Sequence, residues 1–95
     1  MRKNKITEMK RRVKTLQRRL GRVGPVMRGS VVLLGARHKQ PYFSLNKEKR
    51  TRLIYLGKKR EGAARQLSAN YKSLLAIVEE MTLLNMELLK QNRWD

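Results

Sequence analysis

The sequence predicts an α+β fold with element order α-β-β-β-α, and three observations predict it. Apolar residues recur with helical spacing towards both ends of the chain. Between those stretches lie three short runs rich in Val, Leu, Ile, Tyr and Phe, bounded by Gly or Pro. The links between the runs are short, which favours an antiparallel meander over any crossover topology. The two helices are expected to pack antiparallel, with the small sheet between them in chain order. With 95 residues, one small domain with a thin core is expected over 1–95. Its parts are a basic helix at 4–23, a meander at 29–57 and a long helix at 60–91.

The first helix is marked by Ile6, Met9, Val13, Leu16, Leu20 and Val23, spaced 3, 4, 3, 4 and 3 apart. That is an unbroken heptad stripe. Gly21 weakens the last turn, and Gly24-Pro25 ends the helix. The rest of its surface is cationic.

Val31–Leu34 is the first predicted strand, between Gly29-Ser30 and Gly35. Pro41–Leu45 is the second; a Pro is tolerated where a strand begins, because its missing N–H costs no ladder bond there. Arg52–Leu56, closed by Gly57, is the third. Alternation opposes Tyr42 and Ser44 to Phe43 and Leu45, and the latter pair is expected to face the core.

The last helix begins somewhere in Lys58–Arg65, or nearer Ser68, and ends at about Gln91. Leu67, Tyr71, Leu74, Val78, Met81, Asn85 and Leu88 repeat at 4, 3, 4, 3, 4 and 3. This second heptad seam predicts a protein-facing surface, with Asn85 as a polar residue that sets register or partner. Leu75, Leu83, Leu84 and Leu89 widen the apolar face, so the helix needs more than one neighbour. A second copy of the chain or a larger protein is the expected partner.

Charge sets the functional class. The chain carries 24 Lys+Arg against 7 Asp+Glu, a formal +17. Residues 1–60 hold a net +18, with Glu8 and Glu48 as their acids, and residues 61–95 hold a net −1. Such self-repulsion opposes folding and is relieved by a polyanion. Nucleic acid is the expected polyanion; an acidic membrane surface and an acidic protein are the weaker alternatives. No apolar run approaches the roughly 18–20 residues that span a bilayer, and no secretory leader is read at the N-terminus. A cytoplasmic, nucleoprotein-associated setting is expected.

The candidate phosphate-binding residues fall into four groups. Lys10, Arg11, Lys14, Arg18 and Arg22 lie on the basic helix, with Arg28 just beyond it. Arg37, His38 and Lys39 form the first predicted turn. Lys47, Lys49, Arg50 and Arg52 surround the second, where basic side chains can reach a backbone or a groove. Lys58, Lys59 and Arg60 stand at the start of the last helix, against its dipole. Tyr42 is the candidate for stacking on a base. Trp94, near a frayed end, is read as having no role.

Nothing points to catalysis. There is no cysteine, and the lone His38 has no carboxylate or second ligand close in sequence. Glu79, Glu80 and Glu87 are not paired with a base or a metal set, and no phosphate-cradling glycine loop is present. No cofactor and no metal are expected.

From Met27 onward the order of motifs is familiar. Met27–Val31 is followed by His38-Lys39-Gln40-Pro41-Tyr42-Phe43-Ser44-Leu45, then by the basic Lys49–Arg52 leading into Leu53–Leu56. Asn70–Leu75 and Leu83–Leu89 close the series. This resembles a group of small prokaryotic proteins of unknown function that accompany transposases and other mobile elements. The resemblance covers about two-thirds of the chain. It implies work alongside nucleic acid and supplies no activity. Those proteins carry a cysteine cluster between the first two strands. Here that stretch is Gly35-Ala36-Arg37-His38-Lys39-Gln40, so no metal knuckle carries over.

The sequence therefore predicts a non-enzymatic protein that contacts nucleic-acid backbones through residues 1–60, as an accessory subunit of a mobile-element or other nucleoprotein machine. Duplex DNA and structured RNA are equally compatible with it. The alternative is a coiled-coil adaptor or inhibitor that docks on an acidic protein.

Overall fold

A computed structural model describes residues 3–93, with side chains from Lys5; Trp94 lies outside them. The elements are α1 (Lys3–Gly21), β1 (Ser30–Leu34), β2 (Gln40–Lys47), β3 (Arg50–Tyr55) and α2 (Gly57–Lys90). The predicted α-β-β-β-α order is the observed one. The chain forms two compact units: α1 with the chain from Ser73 onward, and the stretch from Gly24 to Lys72.

In the first unit the α1 stripe is the buried stripe. Leu16 is fully buried, and Ile6, Met9, Val13, Leu20 and Val23 are half-buried. Arg12 pairs with Glu80, and Met9, Arg12 and Leu84 line one shallow hollow. Numbers falling along α1 thus meet numbers rising along α2, which makes the pair antiparallel. Arg18 and Arg19 in the last turn of α1 suit its dipole. At the other end, Asn92 takes a left-handed φ of 55°. The Arg93 and Asn92 amides donate to the Leu88 and Leu89 carbonyls at 2.7 and 3.0 Å, a Schellman cap with Asn in place of Gly.

The predicted α2 seam is corrected here. Leu74, Ile77, Met81 and Leu84 are half-buried and Leu88 is buried, so the seam passes through Ile77 and not through Val78. Val78 is exposed, Asn85 is half-buried, and Leu88 is fully buried inside the chain, away from any partner surface. The reason is local. Ile77 and Val78 are two adjacent candidates for one seam position, and the bulkier of them turns inward.

In the second unit the sheet has order β1-β2-β3, antiparallel throughout. Val31 pairs with Phe43 and Phe43 with Ile54; on the other face Val32 pairs with Tyr42 and Tyr42 with Tyr55. Phe43, Leu56 and Ala64 form the core, with Met27, Val31 and Leu45 packed on it. The first half of α2 therefore covers the Phe43 face. Residues 24–29 lie along that half of the helix: Asn70 Nδ2 donates to the Pro25 carbonyl at 2.8 Å, the Met27 amide to the Leu67 carbonyl at 3.1 Å, and Ser68 Oγ to the Gly29 carbonyl at 2.9 Å.

Both β2 and β3 extend further than the sequence predicts, because a hairpin closes them tightly. Lys47 pairs with Arg50, which leaves Glu48 and Lys49 as a two-residue loop. Both have positive φ, 54° and 64°, the signature of a type I′ turn. Neither is the Gly or Asn that such a turn favours.

Candidate nucleic-acid interface

α1 turns one row of cations to water. Arg11, Lys14 and Arg18, with Arg22 just past the helix end, follow each other at intervals of three or four, opposite the Met9–Val13–Leu20 side, and all four are exposed. The row is about 16 Å long at helical rise. Arg18 Nη2 donates to Thr15 Oγ1 at 3.2 Å, which steadies one member of it. Lys10 stands beside the row and is half-buried. Arg12, on the flank facing α2, is neutralised instead. Its guanidinium raises its own affinity for the proton by hydrogen bonding to Glu80, and the same bond holds the Glu80 carboxyl below the usual carboxylate range.

The second unit carries cations at both ends of its sheet. One end is the hairpin tip, with exposed Lys47, Lys49, Arg50 and Arg52. Arg28 joins it by donating from Nη1 to the Asn46 carbonyl at 3.0 Å. Thr51 Oγ1 donates to Asn46 Oδ1 at 2.7 Å and braces the same turn. A hollow of about 680 Å³ opens beside it, with Phe43, Leu45 and Ile54 in its lining and Arg28, Lys47 and Arg52 contributing charge.

The other end bears the Gly35–Lys39 turn and the start of α2. Arg37, His38 and Lys39 are exposed there, and so are Lys58 and Lys59. Gly35 has a φ of 138°, and a Cβ on it would collide with the His38 carbonyl, so the turn is tight without any cysteine. Arg60 is placed differently from the other predicted cations. Its guanidinium reaches back past the start of α2 and donates to the Tyr55 and Leu56 carbonyls at 2.7 and 3.1 Å. A cation in the first turn of α2 is thus explained by the carbonyls at the end of β3. The helix begins at Gly57, with φ 63°, earlier than predicted.

Tyr42 lies on the sheet face opposite Phe43, as alternation requires, and is half-buried. The register sets Tyr55 directly against it. Sequence reasoning did not assign Tyr55 to the interface; the signal was the alternation of Leu53 and Tyr55 in β3. Leu67 and Tyr71 are half-buried on α2, and Leu74 and Met81 belong to the inward row. The exposed apolar residues of the second half of α2 are Leu75, Val78, Leu83, Met86 and Leu89. Among the described residues, no helix is long and apolar enough to cross a membrane. Comparison with known protein families, with curated proteins and with solved structures finds no match for this chain.

Proposed function

We propose that this chain is a non-enzymatic nucleic-acid-binding protein that grips phosphates and serves as an accessory subunit of a nucleoprotein machine. The observation that carries the reading is the exposed row Arg11, Lys14, Arg18 and Arg22. Twenty-four cations face seven carboxylates in the whole chain, so most of them lack an acidic side chain to balance them. A row of cations one helical turn apart releases condensed counterions when it meets a phosphate backbone, and that release drives binding. The resemblance from Met27 onward favours a mobile-element setting.

The near-neutral C-terminal third of the chain supplies the protein contact in this reading. Two copies repel through residues 1–60, at +18, but not through residues 61–95, at −1. Leu75, Val78, Met86 and Leu89 fall on one side of α2, each more than two-fifths exposed. A second copy covers this stripe.

Binding to a short DNA duplex and to a folded RNA of equal charge, each over a salt series, tests the function. Steep and parallel loss of affinity with salt is expected for phosphate binding. RNA binding that survives high salt would point instead to recognition of RNA shape. No binding to either at low salt would leave the acidic-protein adaptor as the better reading.

A further inference from the structure

An antiparallel sheet covered on one side ordinarily turns polar residues to water on the other. Here that side is mixed: opposite the Phe43 face the sheet carries Val32, Leu34, Tyr42, Leu53 and Tyr55 among the polar Ser30, Gln40, Ser44, Asn46 and Thr51. Leu34, Leu53 and Tyr55 are 41%, 49% and 48% exposed. The residues that build the core of this unit pack on the other face.

The two rings on this face are held in place. Tyr42 and Tyr55 meet edge to face, with centroids 5.4 Å apart and planes at 67°. The Tyr55 hydroxyl donates to Gln40 Oε1 at 3.3 Å. A ring already fixed in its rotamer loses little entropy when a flat ligand settles on it.

The register also fixes which charges stand near the rings. Tyr42 with Tyr55 is the last pair of the β2–β3 ladder, and Leu34 with Gln40 is the last pair of β1–β2. Both ladders end where the 35–39 turn and the start of α2 emerge. Exposed Arg37, His38, Lys39, Lys58 and Lys59 therefore occupy the same end of the sheet as the tyrosine pair.

We infer that this end of the sheet binds single-stranded nucleic acid, with a base stacked on the Tyr42–Tyr55 pair and the adjoining phosphates held by these cations. The inference rests on the nucleic-acid reading above and names its substrate. Base faces in a duplex are already stacked on their neighbours; an unpaired base offers a free face. A groove that tracks phosphates beside rings that stack bases is the arrangement single-strand binding needs. The α1 row, by contrast, makes no distinction between one strand and two.

The test measures affinity for a deoxythymidine single strand of about 12 nucleotides and for a duplex with the same number of phosphates. The wild-type chain is compared with Tyr42→Leu/Tyr55→Leu and with Tyr42→Phe/Tyr55→Phe. The leucine pair is expected to lose at least about fivefold in single-strand affinity. Its duplex affinity stays within about twofold, and the phenylalanine pair, which keeps both rings, stays near wild type for both ligands. Equal losses on both ligands, or no loss on either, overturn the inference while leaving phosphate binding intact. Absence of binding to both ligands by the wild-type chain overturns the parent reading as well. A second measurement needs no variant. A 5-bromouracil-substituted strand, irradiated in complex with the wild-type chain, is expected to cross-link to Tyr42 or Tyr55. Cross-links found only on α1 overturn the inference.

Discussion

The guanidinium of Arg12 holds both carboxylate oxygens of Glu80, a residue 68 positions later in the chain; Nη2 reaches Oε1 at 2.9 Å and Nε meets Oε2. Only 7 acids oppose 24 cations here, and this acid joins α1 to α2. The hydrogen bond from Arg12 lowers the pKa of Glu80. A carboxyl with a lowered folded-state pKa contributes stability that is present above its unfolded pKa. That contribution is lost as pH falls through the folded value. Glu80→Gln should therefore melt below the wild type at neutral pH, and the gap should close as the pH drops below the usual carboxylate range. Melting curves over a pH series check this. A gap that persists at the acid end would show that the variant acts through packing, not through the ion pair.

Ser68 and Gly29 make the second long-range tie. The Ser68 hydroxyl is buried and donates to the Gly29 carbonyl. Removing it with Ser68→Ala leaves that carbonyl without its side-chain donor, at a cost of about 1–3 kcal/mol. Gly29 itself has a φ of 131°, and a Cβ there would come within 2.6 Å of both Phe43 Cζ and the Ser44 carbonyl oxygen. Gly29→Ala should cost about 1–3 kcal/mol through overpacking alone. Denaturant titration of both variants measures the two effects. A neutral result for Gly29→Ala would mean that residues 24–29 are free to move off the sheet.

How much of this was readable in advance depended on whether a residue's role was local. The α1 stripe was readable because its apolar positions stand singly among polar ones. The α2 seam was misplaced at Val78, where the neighbouring Ile77 competes for the same position. The strands were read too short because Asn46, Lys47 and Arg50 are polar, and only the hairpin pairing keeps them in the ladder. The cations announced themselves by composition. Tyr55 did not: the alternation of β3 fixes which face it takes, but its place beside Tyr42 comes from a pairing across 13 residues. Arg60 was read through the helix dipole, while its actual partners are carbonyls preceding the helix.

The hairpin tip stores correctable strain. Glu48 and Lys49 both hold positive φ, and an L-residue with a Cβ loses about 1 kcal/mol in that region. Glu48→Asn with Lys49→Gly supplies the residues a type I′ turn favours. The double change removes one charge of each sign, so the net charge is unaltered. An increase in stability of about 1–2 kcal/mol is expected from denaturation midpoints. No increase would mean that the loop does not keep its two-residue form in solution.

The α1 row makes a quantitative prediction about salt. Each phosphate contact on duplex DNA adds about 0.9 to the magnitude of the slope of log affinity against log salt. Changing Lys14, Arg18 and Arg22 to Gln should therefore lower that magnitude by up to about 3. The three side chains are exposed, and Arg18 alone among them has a side-chain hydrogen bond, to Thr15. The fold should tolerate the change, as circular dichroism will show. A slope unchanged by the triple variant would move the phosphate contacts off α1 and onto the ends of the sheet.

The outer side of α2 separates stability from assembly. Leu83 and Met86 are 59% and 54% exposed, whereas Leu88, on the inward row, is 2% exposed. Leu88→Ala should cost about 2–5 kcal/mol, because it opens a cavity in a core with few fully buried side chains. Met86→Glu, on the stripe with Leu75, Val78 and Leu89, removes nothing from that core, so its melting temperature at low protein concentration should stay close to wild type. If two copies pair through this stripe, four charges brought into or near the contact by Leu83→Glu/Met86→Glu will be desolvated without partners, and the pair will dissociate. Sedimentation equilibrium distinguishes the cases. A wild-type dimer converted to a monomer by the double variant supports self-pairing through α2, whereas a wild-type chain that is monomeric throughout the accessible concentration range removes the second copy as the partner of this face.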